Sequence, residues 1–392
     1  MVELVDTRDL KSLPNKRGAG SSPVLGTKIL IKEKYEYMER TKKPEDDVKK
    51  VVKQVKDRAT SSSVKERKEY EGNIEKMIST GSTLLDLAIS GGRVRGGGIP
   101  SGILVEIFGP SGAGKTVMLC EIAGAIQRQG GEIMFHDPEA RLNKQFARMF
   151  DLNTEVMDYK TPDTIPEVFS AVRKWDPGSK GKVHGVFADS LAALSTNMEM
   201  GSDDGDKMGM RRAKEFSEEL RRTCRVITKN DLLMVCSNQV RQNADAGPYG
   251  VKYSTPGGLS IGFYASLRLR ANTPEKIKVK RTIAGKEVVK VIGVETKIEV
   301  FKSSIWKPFN VAPLIILFDY GIDDIRANLQ YIKTYTKATT YVIGGEKLAV
   351  SLEDAIAIIE RDNRQEELRQ EVIDLWEEIE KKFESDRMPK QR

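Results

Sequence analysis

The chain has 392 residues, 39% hydrophobic and 31% charged, which allows one large core with small appendages and describes an ordinary globular protein. No apolar run approaches the ~20 residues that span a bilayer, and three cysteines (Cys120, Cys224, Cys236) with two histidines (His136, His184) show neither disulfide nor metal-ligand spacing. Those features exclude membrane-spanning, disulfide-scaffold and zinc-scaffold classes and lead us to expect a reducing, cytoplasmic compartment.

The net charge of +7 is uneven, because residues 1–80 carry 19 Lys or Arg against 14 Asp or Glu. A basic arm suits nucleic acid or an acidic partner, and suits a solvated lysine-rich helix equally well. Residues 1–37 hold a Gly/Ser/Pro cluster without helical or strand periodicity. They are similar to the peptide produced when a reading frame runs through a transfer-RNA gene, so translation is expected to start at Met38. Within the arm 38–70, "PEDDVKKVVKQVKDR" (44–58) spaces its valines helically, with acids first and bases later. Its apolar stripe is narrow, so this helix is expected either to dock on a neighbouring copy or to lie on the surface. "ATSSSVKE" then reads as a linker.

From about Ser79 strands alternate with helices. "GILVEIFG" enters "FGPSGAGKT" (108–116), and "TVMLCEIAGAIQRQG" is the helix that leaves it. Gly109, Pro110, Ser111, Gly112, Ala113, Gly114, Lys115 and Thr116 match a phosphate-binding loop, whose glycines let several backbone N–H groups face phosphate oxygens. Lys115 would reach the β- and γ-phosphates of ATP, Thr116 would hold Mg²⁺, and the helix N-terminus adds its dipole. "EIMFHD", "HGVFADS" and "LLMVCSNQ" are further short strands ending in polar residues, which implies a mainly parallel sheet with function at its C-terminal edge. Asp189 at a strand end can support Mg²⁺. Glu139 and Asp137 both stand where a carboxylate could activate the attacking water, and Gln239 ends another strand where an amide could sense the γ-phosphate. "PEKIKVKRTIAGKEVVK" (274–290) reads as a basic β-hairpin, and 322–392 as a small α/β appendage ending in "RQEELRQEVIDLWEEIEKKF".

Six segments in order, "STGSTLLDLAISGG", "IPSGILVEIFGPSGAGKT", "HDPEA", "ADSLAAL", "SNQVRQN" and "GGLSIGFYASLRLR", make the chain resemble the RecA-type recombinases from about Ser79 to the C-terminal helix. The resemblance implies an α/β P-loop NTPase core (71–321) with a mainly parallel sheet, an N-terminal oligomerisation helix and a small C-terminal α/β domain (322–392). It implies that Lys115 and Thr116 bind phosphate and Mg²⁺, that Asp189 supports the metal, and that Glu139 is the catalytic base. It further implies that Phe146 stacks on adenine and that Gln239 couples the γ-phosphate to DNA. Lys302 matches the first of two lysines that reach a neighbour's ATP; the second is here Ser304. Segments 197–212 and 241–258 match the two DNA-binding loops, which brings in Met208, Gly209, Arg212, Arg241, Tyr249, Lys252, Tyr253, Gly257 and Gly258. The acidic "GSDDGD" makes the first loop a weaker contact than the second. Phe263 and Arg268 match residues that carry the ATP signal between subunits. The expected function is ATP-dependent filament formation on single-stranded DNA, followed by pairing with homologous duplex and strand exchange, without a membrane. A RecA-fold hexameric helicase and a non-catalytic recombination regulator are the rival readings. The sequence ends without the family's acidic tail, and its divergence suggests a phage-borne or otherwise remote member in a bacterial cytoplasm.

Overall fold

A computed structural model describes residues 76–196, 208–242, 253–254, 259–385 and 387; the expected leader and N-terminal helix lie outside the described residues. Among the described residues the first element is β1 (Met77–Ile78), paired antiparallel with β2 (Ile99–Pro100). Between them α1 (Thr83–Asp86) is capped by Ser82, whose side chain accepts from the Leu85 N–H. Strand β3 (Leu104–Gly109) leads into α2 (Lys115–Arg128), then β4 (Ile133–His136), α3 (Lys144–Arg148), β5 (Asp158–Lys160), α4 (Ile165–Lys174) and β6 (His184–Ala188). Next come α5 (Met208–Lys229), β7 (Leu232–Gln239), the short β8 (Arg241–Gln242) and β9 (Tyr253–Ser254), and α6 (Leu259–Tyr264). The chain continues through β10 (Leu267–Ala271), β11 (Glu275–Ile283), β12 (Lys286–Ser303), β13 (Val311–Leu317) and β14 (Gly321–Ile322). It closes with α7 (Asp324–Thr336), the hairpin β15 (Tyr341–Ile343) and β16 (Glu346–Ala349), α8 (Leu352–Arg361) and α9 (Gln365–Lys381).

One sheet organises these elements, in the order β14-β13-β12-β10-β3-β7-β6-β4-β5, with β11 paired to β12. The stretch from β10 to β5 is parallel throughout, as the alternation of strands and helices predicts. The antiparallel half (β11 to β14) is the larger departure from a mainly parallel reading; the 18-residue β12 reverses direction against β10 and carries the sheet outward.

The strands alternate between two apolar layers, so both faces of the sheet are covered. Val105, Ile107, Phe135, Phe187 and Val235 meet Leu119 and Ile122 of α2, with Leu329 of α7 and Val372 of α9 in the same cluster. Met134, Val186, Met234 and Cys236 face Val168 and Phe169 of α4 and Phe216 and Leu220 of α5. Residues 324–381 therefore share one apolar cluster with the nucleotide-loop helix. The register aligns the strand ends: Gly109 lies opposite Gln239, and Ala188 opposite both Cys236 and His136. All the expected site residues of the parallel half thus emerge at one edge.

Candidate phosphate-binding site

The loop after β3 curls against two neighbours. A Cβ on Gly109 would lie 2.3 Å from the Ala271 carbonyl oxygen of β10, and one on Gly114 would lie 2.3 Å from Ile316 Cδ1. Gly114 also has φ +82°, a left-handed conformation that glycine adopts without cost. These close approaches fix the loop's curl at the start of the 14-residue α2. Lys115 Nζ donates to the carbonyls of Gly109 (3.1 Å) and Pro110 (2.7 Å), so the ammonium sits inside the loop. Burial pushes it below its ordinary value, opposed by the carboxylates of Asp189 and Glu139.

Thr116 Oγ1 donates to Asp189 Oδ2 at 2.6 Å, and the Ser237 hydroxyl donates to the other Asp189 oxygen. One carboxylate therefore ties α2 to β7. A hydroxyl and a carboxylate at the foot of a phosphate loop form an all-oxygen donor set, which suits a hard cation that keeps several waters and phosphate ligands, as Mg²⁺ does. Thr116 and Asp189 fit that ion, and the loop amides with Lys115 fit a polyphosphate.

The geometry separates the two candidate bases. Asp137 is buried, and its Oδ2 accepts from the Leu142 N–H (2.8 Å) and the Tyr159 hydroxyl (2.9 Å). Glu139 stands directly before Ala140, which has positive φ, and its carboxylate pairs at 2.9 Å with Arg141, whose side chain is 74% exposed. Asp137 braces the loop, whereas Glu139 is held by a partner that solvent can replace. His136 is buried beside them, and burial together with Lys160 pushes it down to about 4, so the ring is neutral.

Phe146 packs edge-on against Phe150, with ring centroids 5.0 Å apart, at the partly buried rim of the core. Gln239 is the exposed last residue of β7, and its N–H donates to Asn238 Oδ1. Asn238 Nδ2 donates to Glu106 Oε1 (3.0 Å), while Glu106 Oε2 accepts from Arg268 Nε (2.6 Å). Glu106 is fully buried, and the Arg268 guanidinium lies over the Phe108 ring (4.5 Å) and near that of Phe301 (5.3 Å). Gly262 carries no Cβ because one would sit 2.9 Å from Arg268. Lys302 Nζ donates to the carbonyls of Gly262 and Phe263 (2.9 Å each), so within this chain it caps the end of α6, and the Phe263 ring stands 76% exposed beside it. Ser304 Oγ donates to the Ser266 carbonyl.

Of the expected DNA contacts, Met208, Gly209 and Arg212 fall in the first turns of α5, where Arg212 Nη2 donates to the carbonyls of Leu191 (3.2 Å) and Ala192 (2.7 Å). Arg241 pairs with Ser254, and Gln242 with Tyr253, which brings the two ends of the second segment together. Tyr249, Lys252, Gly257, Gly258 and the acidic stretch 201–206 lie outside the described residues. Sequence reasoning missed Ser237, Tyr159 and Glu106. Glu106 had a usable signal, because a carboxylate inside the apolar run "ILVEIF" of a central strand must have a buried partner.

Residues 46–323 match the family model described as RecA N-terminal domain. The protein RecA of Thermus thermophilus is 33% identical over 310 residues, covering 77% of this chain and 86% of the relative. That of Delftia acidovorans is 31% identical over 304 residues (75% and 74%), and that of Deinococcus radiodurans 30% over 304 residues (76% and 79%).

Proposed function

The chain belongs to the RecA family, and on that premise we propose that it is a DNA-dependent ATPase of recombination and repair that assembles on single-stranded DNA and exchanges strands with homologous duplex. The observation that carries this reading is the Asp189 carboxylate shared by Thr116 of the phosphate loop and Ser237 of β7. It joins the nucleotide end of α2 to the strand whose last residue, Gln239, stands two positions before Arg241.

Bound Mg²⁺ would supply charge neutralisation at the phosphates, with Thr116 and Asp189 as its protein ligands. Lys115 would leave the loop carbonyls for the β- and γ-phosphate oxygens, holding the charge that develops there. Glu139 would accept a proton from the attacking water as the bond from the γ-phosphorus to the ADP oxygen breaks. Gln239 would bond the γ-phosphate and shift the segment beginning at Arg241, so ATP and DNA would favour each other's binding reciprocally. Phe146, now against Phe150, would offer its free edge to adenine. Lys302 and Phe263 would meet the next copy, and the second DNA segment would supply the principal single-strand contacts. No helix among the described residues is long and apolar enough to cross a membrane, and a cytoplasmic site of action follows from the DNA substrate.

The test is homologous strand exchange with ATP, accompanied by electron microscopy of the protein on single-stranded DNA. Extended filaments and exchanged product are expected; closed rings without product would instead fit a helicase. Lys115→Ala should abolish ATP turnover in a protein whose melting temperature is unchanged, and normal hydrolysis would sink the assignment of the loop.

A further inference from the structure

The turn that carries Glu139 springs from the end of β4, between two strands. On one side the His136 carbonyl accepts from the N–H of Asp189 (2.9 Å), the residue that also holds Thr116. On the other the Asp137 N–H donates to the Lys160 carbonyl of β5 (2.8 Å). Within the turn Asp137 accepts twice, its main-chain carbonyl from the Ala140 N–H (3.0 Å) and its carboxylate from the Leu142 N–H (2.8 Å). Glu139 lies inside the loop that those bonds close. Ala140 has φ +49°, a left-handed conformation that a residue with a side chain keeps only where its surroundings enforce it.

Tyr159 reaches this turn from outside it. It lies on the outermost strand, β5, opposite Phe135 of β4. A tyrosine at a rim ordinarily keeps its polar tip in water. Tyr159 is 38% exposed, yet its hydroxyl turns inward and donates to Asp137 Oδ2 at 2.9 Å. Burial, followed by the Asp137 carboxylate, pushes the hydroxyl up to about 12, so it is a protonated donor throughout the neutral range. One carboxylate oxygen therefore joins the turn, through Leu142, to the sheet, through Tyr159. Glu139 has no comparable anchor, since among the described residues its carboxylate pairs with exposed Arg141 of the same turn. Where the Glu139 carboxylate stands is thus set by the turn, and where the turn stands is set by Asp137 and Tyr159.

We propose that Tyr159 is a positioning residue for ATP hydrolysis, holding through Asp137 the turn that aims Glu139 at the attacking water. The inference rests on the ATPase reading and adds to it a residue that no phosphate-loop motif marks. A general base must stand within hydrogen-bond reach of the proton it takes, and a misplacement of about 1 Å can cost on the order of a hundredfold in rate. Among the described residues the Tyr159 hydroxyl bonds to Asp137 and not to the phosphate loop. Its loss should therefore spare nucleotide affinity and fall on the rate.

The experiment is a cycle of the full chain, Tyr159→Phe, Glu139→Gln and the double variant, all with single-stranded DNA. Phosphate release gives kcat and KM, and calorimetry gives nucleotide affinity. Phenylalanine keeps the ring and removes the hydroxyl; should the melting temperature fall, the cycle is run well below it and the comparison between backgrounds still decides. The expected result for Tyr159→Phe is kcat lowered roughly tenfold, the scale of one hydrogen bond to a charged group, with KM and affinity within about twofold. The double variant should hydrolyse at the Glu139→Gln rate, because without the base there is nothing left to aim. An unchanged kcat would overturn the inference, as would a loss carried by KM or affinity. An equal factor in both backgrounds would make Tyr159 a brace of the whole site and overturn it too. A parent protein that hydrolyses no ATP would fail the ATPase reading and this inference with it, whereas the other three results in a hydrolysing parent overturn the inference alone.

Discussion

Asp137 and Glu139 are two residues apart, and the string "HDPEA" alone leaves both eligible as the base. Their partners separate them, because Asp137 Oδ2 accepts from both a backbone N–H and the Tyr159 hydroxyl, whereas among the described residues Glu139 is paired with exposed Arg141. Glu139→Gln should therefore keep nucleotide affinity near the parent value and slow hydrolysis by roughly 10²–10⁴-fold, the range of a lost general base. Asp137→Asn should lower the melting temperature first. Calorimetric nucleotide binding alongside steady-state hydrolysis distinguishes the two, and equal losses of affinity and rate in Glu139→Gln would make that residue structural. Glu106 is the converse case, a buried charge that no motif marks. Glu106→Ala would strand the Arg268 guanidinium between two aromatic rings, and urea unfolding should show a loss of about 3–5 kcal/mol. What was legible at this scale was residue type at a strand end. What was not legible was the hydrogen-bond partner, because Tyr159 and Arg268 come from strands that become neighbours only once the sheet has formed.

The elements of the parallel half could be read almost directly, since β3, β4, β6 and β7 are short apolar runs and α2 follows the glycine loop. The hairpin of β11 and β12 was also visible, from its alternation around Ala284-Gly285. The outward run of β12 to Ser303 was hidden, because direction and register in an antiparallel extension depend on partners such as Val311–Leu317 far along the chain. Strand β7 gathers several of the site's contacts on one element. It carries Ser237 against Asp189, Asn238 against Glu106, and Gln239 at its open end. Only Val240 separates Gln239 from Arg241, so on the proposed reading a bond from the amide to the γ-phosphate would shift the segment that follows. Gln239→Ala should bind ATP with little change yet lose most DNA stimulation of hydrolysis and most of the ATP-dependent gain in DNA affinity. If DNA affinity in that variant responds to ATP as the parent's does, β7 is not the coupling element.

At the scale of the whole molecule, the acid Asp324 ties α7 to α1 of the core, and Asp86 braces the turn before α1. Asp324 accepts from the Thr83 N–H and hydroxyl and from Asn328, and Asp86 accepts from Ser79 and Thr80. Glu121 of α2 lies close by, with its side chain 16% exposed, and burial raises it to about 7 despite Arg128. A carboxyl whose folded value lies above its unfolded value near 4.5 favours the fold while protonated. That contribution is complete below pH 4.5, is lost as pH rises toward 7, and amounts to about 3 kcal/mol. Glu121→Gln should therefore gain stability relative to the parent between pH 4.5 and 7, with the two midpoints converging at lower pH. Urea titrations at pH 4, 6 and 8 measure it, and a constant offset would exclude the linkage.

The rims of the sheet carry a different consequence. Every open strand is a template on which an unrelated extended chain could crystallise one hydrogen bond at a time. Here one rim, β14, is two residues long, and the opposite rim, β5, is three residues with Asp158 and Lys160 paired to each other. The long exposed flank of β11 has neither brevity nor cover, and it bears Lys276, Lys278, Lys280 and Arg281 instead. Those basic side chains keep copies of this chain from adding to one another's flank as a growing fibril, so neutralising them should cost solubility before it costs the fold.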